Sequence, residues 1–474
     1  MGTIKFGTDG WRAVIANDYT FENVNKVAQA TAKWIINTGS SENGVVIGYD
    51  TRFLSREFAE HAASVFAEME LPVRIASRIS ATPAVSWAAE HFDAVGIVIT
   101  ASHNPPEYNG FKIKAPYGGS ALPEQIARVE EELLKITASL PIRPFQNYLR
   151  AGMIREIDFV SGYLDILRER IDLEAIRNSG IRVAHDPMFG AGSGLIRELL
   201  GDDVIEINGD RNPLFGGTAP EPIEEKLDKL AKTVITNKCA IGLANDGDAD
   251  RIGMVNEKGE FVSSHQILSL LVKYLHIEKS LTGTIVKTFS TTDMLDKQAA
   301  AYGLPIVVTP IGFKYIAEKI MNGDILAGGE ESGGLAVKGH LPERDGIYIG
   351  LLITEMMVKS GKKLSELVQE LFDEFGPHQY YRNDILTEER KKNAMASFCR
   401  SRRLKEISGK KVVEWDHKDG VKHILENGSW LLVRESGTEP VLRIYSEAST
   451  REEAQELVEA VTAKVDDPSI FSAT

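Results

Sequence analysis

The sequence predicts an α/β protein: three α/β stretches followed by a smaller α+β unit. Three observations carry this. Short apolar runs rich in β-branched residues alternate with amphipathic helical patterns from the start of the chain. The pattern changes over the last hundred residues, where an Asn427-Gly428 pair between two apolar runs signals a β-hairpin. Three apolar strands run straight into loops crowded with functional side chains, as happens at the carboxyl ends of strands in open α/β sheets.

The elements follow in order. Residues 45–49, 73–76 and 94–100 read as strands, with an amphipathic helix at 55–69. A second set of strands falls at 181–186, 204–207 and 240–245, and a third at 285–287, 306–309 and 325–327. The final unit reads as strands 421–426 and 430–434 about the hairpin, strand 442–446 and helix 450–464. Breaks near 150, 256 and 375 divide the chain into domains 1–150, 151–256, 257–375 and 376–474. The similar lengths of the first three suggest a triplicated ancestor, without a fixed sequence period.

Composition sets outer limits. At 474 residues the chain has room for about three domains of ~150 residues. Hydrophobic content of 43% supplies a core without staples. Net charge is −14, with no segregated Lys/Arg block, so neither nucleic acid nor an anionic membrane is expected as a partner. No apolar run of ~18 residues is present, the first ten residues are polar, and Cys239 and Cys399 are isolated. A cytoplasmic protein is expected. If the ligand is a phosphate, positive charge has to be concentrated locally against the acidic whole.

Thr100-Ala101-Ser102-His103-Asn104-Pro105-Pro106 follows a buried strand, and its two prolines stiffen the turn. Ser102 is a nucleophile candidate. His103 can donate a proton or a charge-assisted hydrogen bond, and Lys112 returns toward the same side after Asn109-Gly110. No G-x-S-x-G elbow supports hydrolase-type activation. An ordinary polar turn is the competing reading.

Asp246-Gly247-Asp248-Ala249-Asp250-Arg251 places carboxylates at alternating positions, a hard oxygen set suited to Mg²⁺ or Ca²⁺. Glu257 falls at the twelfth position of an EF-hand count, but Arg251 stands where that loop needs glycine and the flanks are strand-like. Magnesium held by carboxylates commonly shares a phosphate, so this loop asks for one.

Gly328-Gly329-Glu330-Glu331-Ser332-Gly333-Gly334 sets acids and a hydroxyl among glycines, natural acceptors for sugar hydroxyls. Arg434-Glu435-Ser436-Gly437-Thr438-Glu439-Pro440, with Arg443 just beyond, forms a candidate anion nest. Each charge-assisted hydrogen bond there is worth roughly 1.5–3 kcal/mol. Arg12, in Gly7-Thr8-Asp9-Gly10-Trp11-Arg12, is a further anion-binding candidate, or a surface arginine stacked on Trp11.

In this order the motifs TASHNP, DGDADR, GEESGG and RESGTEP resemble the α-D-phosphohexomutase superfamily, of phosphoglucomutase/phosphomannomutase type, across nearly the whole chain. Arg211-Asn212-Pro213-Leu214-Phe215-Gly216-Gly217 and Gly312-Phe313-Lys314 are smaller matches. The resemblance implies three related α/β domains with mixed sheets and a C-terminal TBP-like domain, in a four-domain heart shape. It implies Ser102 as the phosphoserine and a Mg²⁺ ligand, beside Asp246, Asp248 and Asp250. Glu330 and Ser332 would bind sugar hydroxyls, and Arg434, Ser436, Gly437, Thr438 and Arg443 the substrate's phosphate. His103 and Lys112 would assist proton transfer, and Arg251 would shield the phosphoserine. His340 and Arg344 are further substrate contacts, since Gly333-Gly334 stand where other subfamilies carry a histidine.

The implied reaction converts glucose 1-phosphate to glucose 6-phosphate through glucose 1,6-bisphosphate, by a monomer or homodimer. Phosphomannomutase or dual specificity is the alternative, ahead of phosphoglucosamine mutase, phosphopentomutase or a metal-dependent sugar phosphatase. A non-catalytic phosphosugar-binding protein is a reading from another class. Excluding water from the phosphoserine calls for closure by the last domain, with a hinge expected at 375–380.

Overall fold

Buried β-branched strands define the architecture, and each expected strand is present within a residue or two of its expected limits. A computed structural model describes residues 4–7, 9–39, 42–436, 441–467 and 470. These form two units, Met1–Thr284 with Gly312–Leu367, and Ile285–Ile311 with Val368–Thr474.

The first unit contains two complete mixed sheets. One runs, from edge to edge, Trp11–Val14, Tyr108–Lys114, Val95–Ile99, Val45–Tyr49, Val73–Ala76 and Ile154–Ile157. Its last four strands are parallel; Tyr108–Lys114 runs antiparallel to both neighbours. The central strands Val45–Tyr49 and Val95–Ile99 are buried along their whole length, which is why they read as continuous apolar runs. Helix Phe21–Asn37 packs against helices Ser55–Glu68 and Pro123–Leu133; its first turn is capped by Thr20, whose hydroxyl accepts from the Asn23 amide. The other sheet has the order Phe261–Val262, Ile252–Asn256, Ile241–Asn245, Val183–Asp186, Val204–Glu206. The first sheet thus takes in a strand beyond residue 150, and the second takes in one beyond 256.

Strand Ile325–Gly329 pairs antiparallel with Leu335–Val337 in the same unit. Helix Gly346–Ser360 is apolar all round and almost wholly buried, as a helix walled in on every side must be. Asp345 caps it by accepting from the Tyr348 amide at 2.9 Å. Gly346 cannot be another residue, because a Cβ there would lie 2.2 Å from the Arg251 carbonyl. The start of the helix is thereby pressed onto the 246–251 loop.

The second unit carries the C-terminal sheet, all antiparallel, in the order Gln379–Leu386, Val441–Ala448, Trp430–Glu435, Val421–Leu425, Lys410–Asp416, Glu406–Ile407. Helices Glu389–Arg400 and Arg451–Thr462 complete this α+β unit, and the hairpin turns with Gly428 at φ +85°. Phe289, from the 285–311 segment, packs with Trp430, Leu432 and Tyr445 of the sheet. The hinge expected at 375–380 lies inside this unit and is tied there. Lys297 Nζ donates to the Phe375 carbonyl at 2.8 Å, and His378 Nδ1 lies 2.8 Å from Glu447 Oε1. The chain passes between the two units after Thr284, Ile311 and Leu367. Cys239 and Cys399 are buried thiols, and no helix among the described residues is long and apolar enough to cross a membrane.

Candidate active site

Ser102 is held in an unusual backbone conformation where strand Val95–Ile99 ends. Its φ of +52° is left-handed, rare for a residue with a side chain and characteristic of over-determined functional positions. Its amide donates to Thr100 Oγ1 at 2.9 Å, and Asn104 N donates to the Ala101 carbonyl. The hydroxyl donates to Asp246 Oδ2 at 2.7 Å, and His103 Nδ1 lies 3.3 Å from Ser102 Oγ. Arg12 Nη1 donates to Asn104 Oδ1 at 2.6 Å, so Arg12 faces this loop, while Trp11 stacks on Tyr19 instead.

The aspartate loop joins strands Ile241–Asn245 and Ile252–Asn256, and Asp246, Asp248 and Asp250 are fully buried. Asn245 Nδ2 donates to the Arg251 carbonyl at 2.8 Å, closing the turn. The loop lies so close to the serine loop that a Cβ on Gly247 would sit 2.5 Å from the Ser102 carbonyl. One ligand oxygen from each of the three aspartates lies within 4.8 Å of the other two. Several of their oxygens are tethered. Asp246 Oδ1 accepts from the Arg251 amide, and Lys112 Nζ donates to Asp248 Oδ2 at 2.7 Å and Asp250 Oδ2 at 2.9 Å. Thr82 Oγ1 also donates to Asp248 Oδ2.

Asp248 Oδ1 and Asp250 Oδ1 are buried with no hydrogen-bond partner. Orphaned buried carboxylate oxygens are costly unless a cation satisfies them. An all-oxygen set of this kind fits Mg²⁺, with further positions left for phosphate and water. Burial, reinforced by the charges of Asp248 and Asp250, pushes Asp246 well above the usual carboxylate range. Burial would raise Asp248 too, but Lys112 and the Thr82 hydroxyl hold it well below. Burial alone would lower the Lys112 ammonium; Asp248, Asp250 and Asp9 outweigh it and hold the lysine charged. Arg251 flanks the cluster, its Nε 4.0 Å from Asp250 Oδ1.

The glutamate loop joins the same electrostatic centre. Arg344 Nη2 lies 2.8 Å from Asp250 Oδ2 and pairs closely with Asp9, and its Nη1 is 3.6 Å from Glu330 Oε2. Ser332 stands half-buried in the same turn. All three functional strand ends of the first unit therefore come together. Burial lifts the Glu330 carboxyl to about 7, with Arg344 opposing the rise. The folded protein then holds a proton that the unfolded chain releases near 4.5, so stability falls as pH rises between about 4.5 and 7. Glu330→Gln is expected to remove that slope, worth about 3 kcal/mol at most, as read from melting temperatures across the interval.

His340 does not join the centre. Its Nε2 is 2.7 Å from Asp345 Oδ2, its Nδ1 is 2.8 Å from Arg170 Nη1, and its ring stacks on Tyr348. Both ring nitrogens are engaged within the fold. The anion-nest residues lie in the second unit. Arg434 and Arg443 are cross-strand partners, with Arg434 Nε donating to Asp419 Oδ1 at 2.9 Å and Arg443 Nε 3.4 Å from Asp384 Oδ2. Lys392, itself buried, donates to the Ser436 carbonyl at 3.0 Å. Gly437 and Thr438 lie outside the described residues.

Several participants escaped the sequence reading. Asp9 is the shared counter-ion of Lys112, Arg344 and, at 3.7 Å, Lys114. Lys114 also pairs with Glu343 at 2.6 Å. The available signal was the spacing of Lys112 and Lys114 in an otherwise apolar strand, since residues two apart share a face. Arg52 and Thr82 carried no comparable signal.

Comparison with known proteins finds matches over nearly the whole chain. Models described as "Phosphoglucomutase/phosphomannomutase" alpha/beta/alpha domains I, II and III match residues 3–139, 161–259 and 263–375, and the C-terminal domain model matches 387–464. The chain is 34% identical over 469 residues to a phosphoglucomutase/phosphomannomutase of Thermococcus kodakarensis, covering 97% of each chain. It is 32% identical to a phosphoglucosamine mutase of Carboxydothermus hydrogenoformans, covering 98% of this chain and all of that one. A crystal structure from Thermus thermophilus, named as a phosphomannomutase, superposes with a TM-score of 0.86 at 33% identity, covering 98% of this chain and 99% of the other.

Proposed function

We propose that this chain, which belongs to the phosphoglucomutase/phosphomannomutase family, moves a phosphoryl group between two positions of one hexose by way of Ser102. The observation that carries the reading is the Ser102 hydroxyl, held at positive φ on a cluster of three buried aspartates with orphaned oxygens. A serine so placed can carry a phosphoryl group where a metal neutralises it.

Asp246, Asp248 and Asp250 would hold Mg²⁺, which when bound supplies charge neutralisation of a transferring phosphoryl group. In the forward step the bond from phosphorus to Ser102 Oγ breaks as a bond forms to the free hydroxyl oxygen of glucose 1-phosphate. The hydroxyl proton leaves to a nearby base, which returns it to Ser102 Oγ, so that Ser102 is left as its hydroxyl. The resulting glucose 1,6-bisphosphate reverses its pose and returns its other phosphoryl group to Ser102, releasing glucose 6-phosphate. His103 Nδ1, 3.3 Å from Ser102 Oγ, is within reach of the proton. Lys112 pairs with Asp248 and Asp250, Arg12 and Arg251 supply positive charge around the cleft, and Glu330 and Ser332 accept sugar hydroxyls. Arg434, Ser436, Gly437, Thr438 and Arg443 would take the phosphate that is not reacting.

Each sugar must be held in two poses by the same Glu330 and Ser332, which limits discrimination at any one hydroxyl. The Carboxydothermus relative favours a second reading, glucosamine 1-phosphate as substrate. Initial rates on glucose, mannose, glucosamine and ribose 1-phosphates, with bisphosphate activator and Mg²⁺, separate them. The expected order places glucose first, with mannose within about tenfold, the discrimination roughly one or two contacts allow. Release of inorganic phosphate in place of an isomeric sugar phosphate would sink the mutase reading in favour of a phosphatase.

A further inference from the structure

Arg52 is an arginine with no solvent exposure, unused by the chemistry above, in the turn after strand Val45–Tyr49. Its guanidinium donates to four carbonyls of one loop. Nη2 reaches Ser102 O and Asn104 O, each at 2.6 Å; Nη1 reaches Pro105 O at 2.8 Å and Tyr108 O at 3.0 Å. Asp50 lies 3.3 Å from Nε, and it is itself fixed by the Arg52 amide and the Ser55 hydroxyl. The Phe215 ring faces the guanidinium with its centroid 4.8 Å from Cζ. The 211–217 motif, which no step of the reaction employs, thus supplies the cover of this cation.

We propose that Arg52 is the positioning residue that locks the Ser102 loop in its reactive conformation, an inference that rests on the phosphoserine reading for its kinetic consequence. A left-handed serine persists only where its surroundings hold it there. The Ser102 carbonyl is gripped from two sides. Arg52 Nη2 donates to it, and Gly247 packs so tightly against it that no Cβ fits between. Releasing that carbonyl lets φ relax and swings the hydroxyl away from Asp246. Four converging buried carbonyls need a planar fork of donors, which arginine has and lysine lacks.

The test is Arg52→Lys in the full chain, which keeps the charge and loses the fork. Expected is a fall in kcat of about 100-fold with KM within about threefold, the signature of lost positioning. A kcat within threefold of wild type overturns the proposal. Hydrogen exchange reads the same claim without turnover. Amides of the 101–108 loop should exchange at least about tenfold faster in the variant, with strands Val45–Tyr49 and Ile241–Asn245 unchanged. Unchanged loop exchange, or equal acceleration of loop and strands, overturns it. Absence of mutase turnover in the wild type would instead sink the phosphoserine reading and leave the exchange arm standing. Phe215→Leu keeps Arg52 and removes its cover. A smaller loss of kcat, about three- to tenfold at unchanged KM, is expected there, and wild-type kinetics would count against the proposal.

Discussion

Ser102→Ala is expected to lower mutase turnover by at least about 10⁴-fold while sugar-phosphate binding persists. Without Oγ no covalent carrier exists, and in the proposed route every phosphoryl group passes through that oxygen. The fold should tolerate the change. The lost hydrogen bond, to Asp246 Oδ2, is one contact of a carboxyl whose Oδ1 keeps the Arg251 amide. The Ser102 amide and carbonyl keep their partners, Thr100 and Arg52. Titration calorimetry with glucose 6-phosphate should therefore give an affinity near that of wild type. Residual turnover within a hundredfold of wild type would remove Ser102 from the mechanism.

Chelation of divalent cations is expected to reduce activity by at least about 10³-fold, with recovery on adding Mg²⁺. The orphaned oxygens of Asp248 and Asp250 give the physical reason. Lys112 occupies the outer oxygens of both groups, so it cannot also neutralise a phosphoryl group at Ser102. Added Mg²⁺ should also raise the melting temperature, because it binds a site that exists only in the folded chain. Asp248→Asn should lose most of this metal-dependent rise; an unchanged rise would place the metal elsewhere.

The strands and the serine, aspartate and glutamate loops were legible because their signals are local. Runs such as Val95–Ile99 alternate with helices, and each functional loop follows its strand directly. Arg52 was illegible because an arginine in a turn normally faces water; only folding shows that Ser102, Asn104, Pro105 and Tyr108 turn their carbonyls toward it. Asp9 hid in a motif whose arginine drew attention, since its importance lies in cations more than a hundred residues away. The partners of His340 were hidden too, since Arg170, beside one ring nitrogen, is 170 residues away in sequence. Gly376-Pro377 was legible as a local break, whereas the ties of Phe375 and His378 are made to residues distant in sequence.

The most direct measurement follows the phosphoryl group itself. The protein is incubated with glucose 1,6-bisphosphate and Mg²⁺, freed of ligand, and mapped by peptide mass spectrometry; it is then given glucose 1-phosphate. A single phosphoryl group on Ser102, lost on addition of the sugar with matching formation of bisphosphate, is the predicted result. Phosphorylation at another residue, or a phosphoserine that passes its group to water alone, would contradict the account.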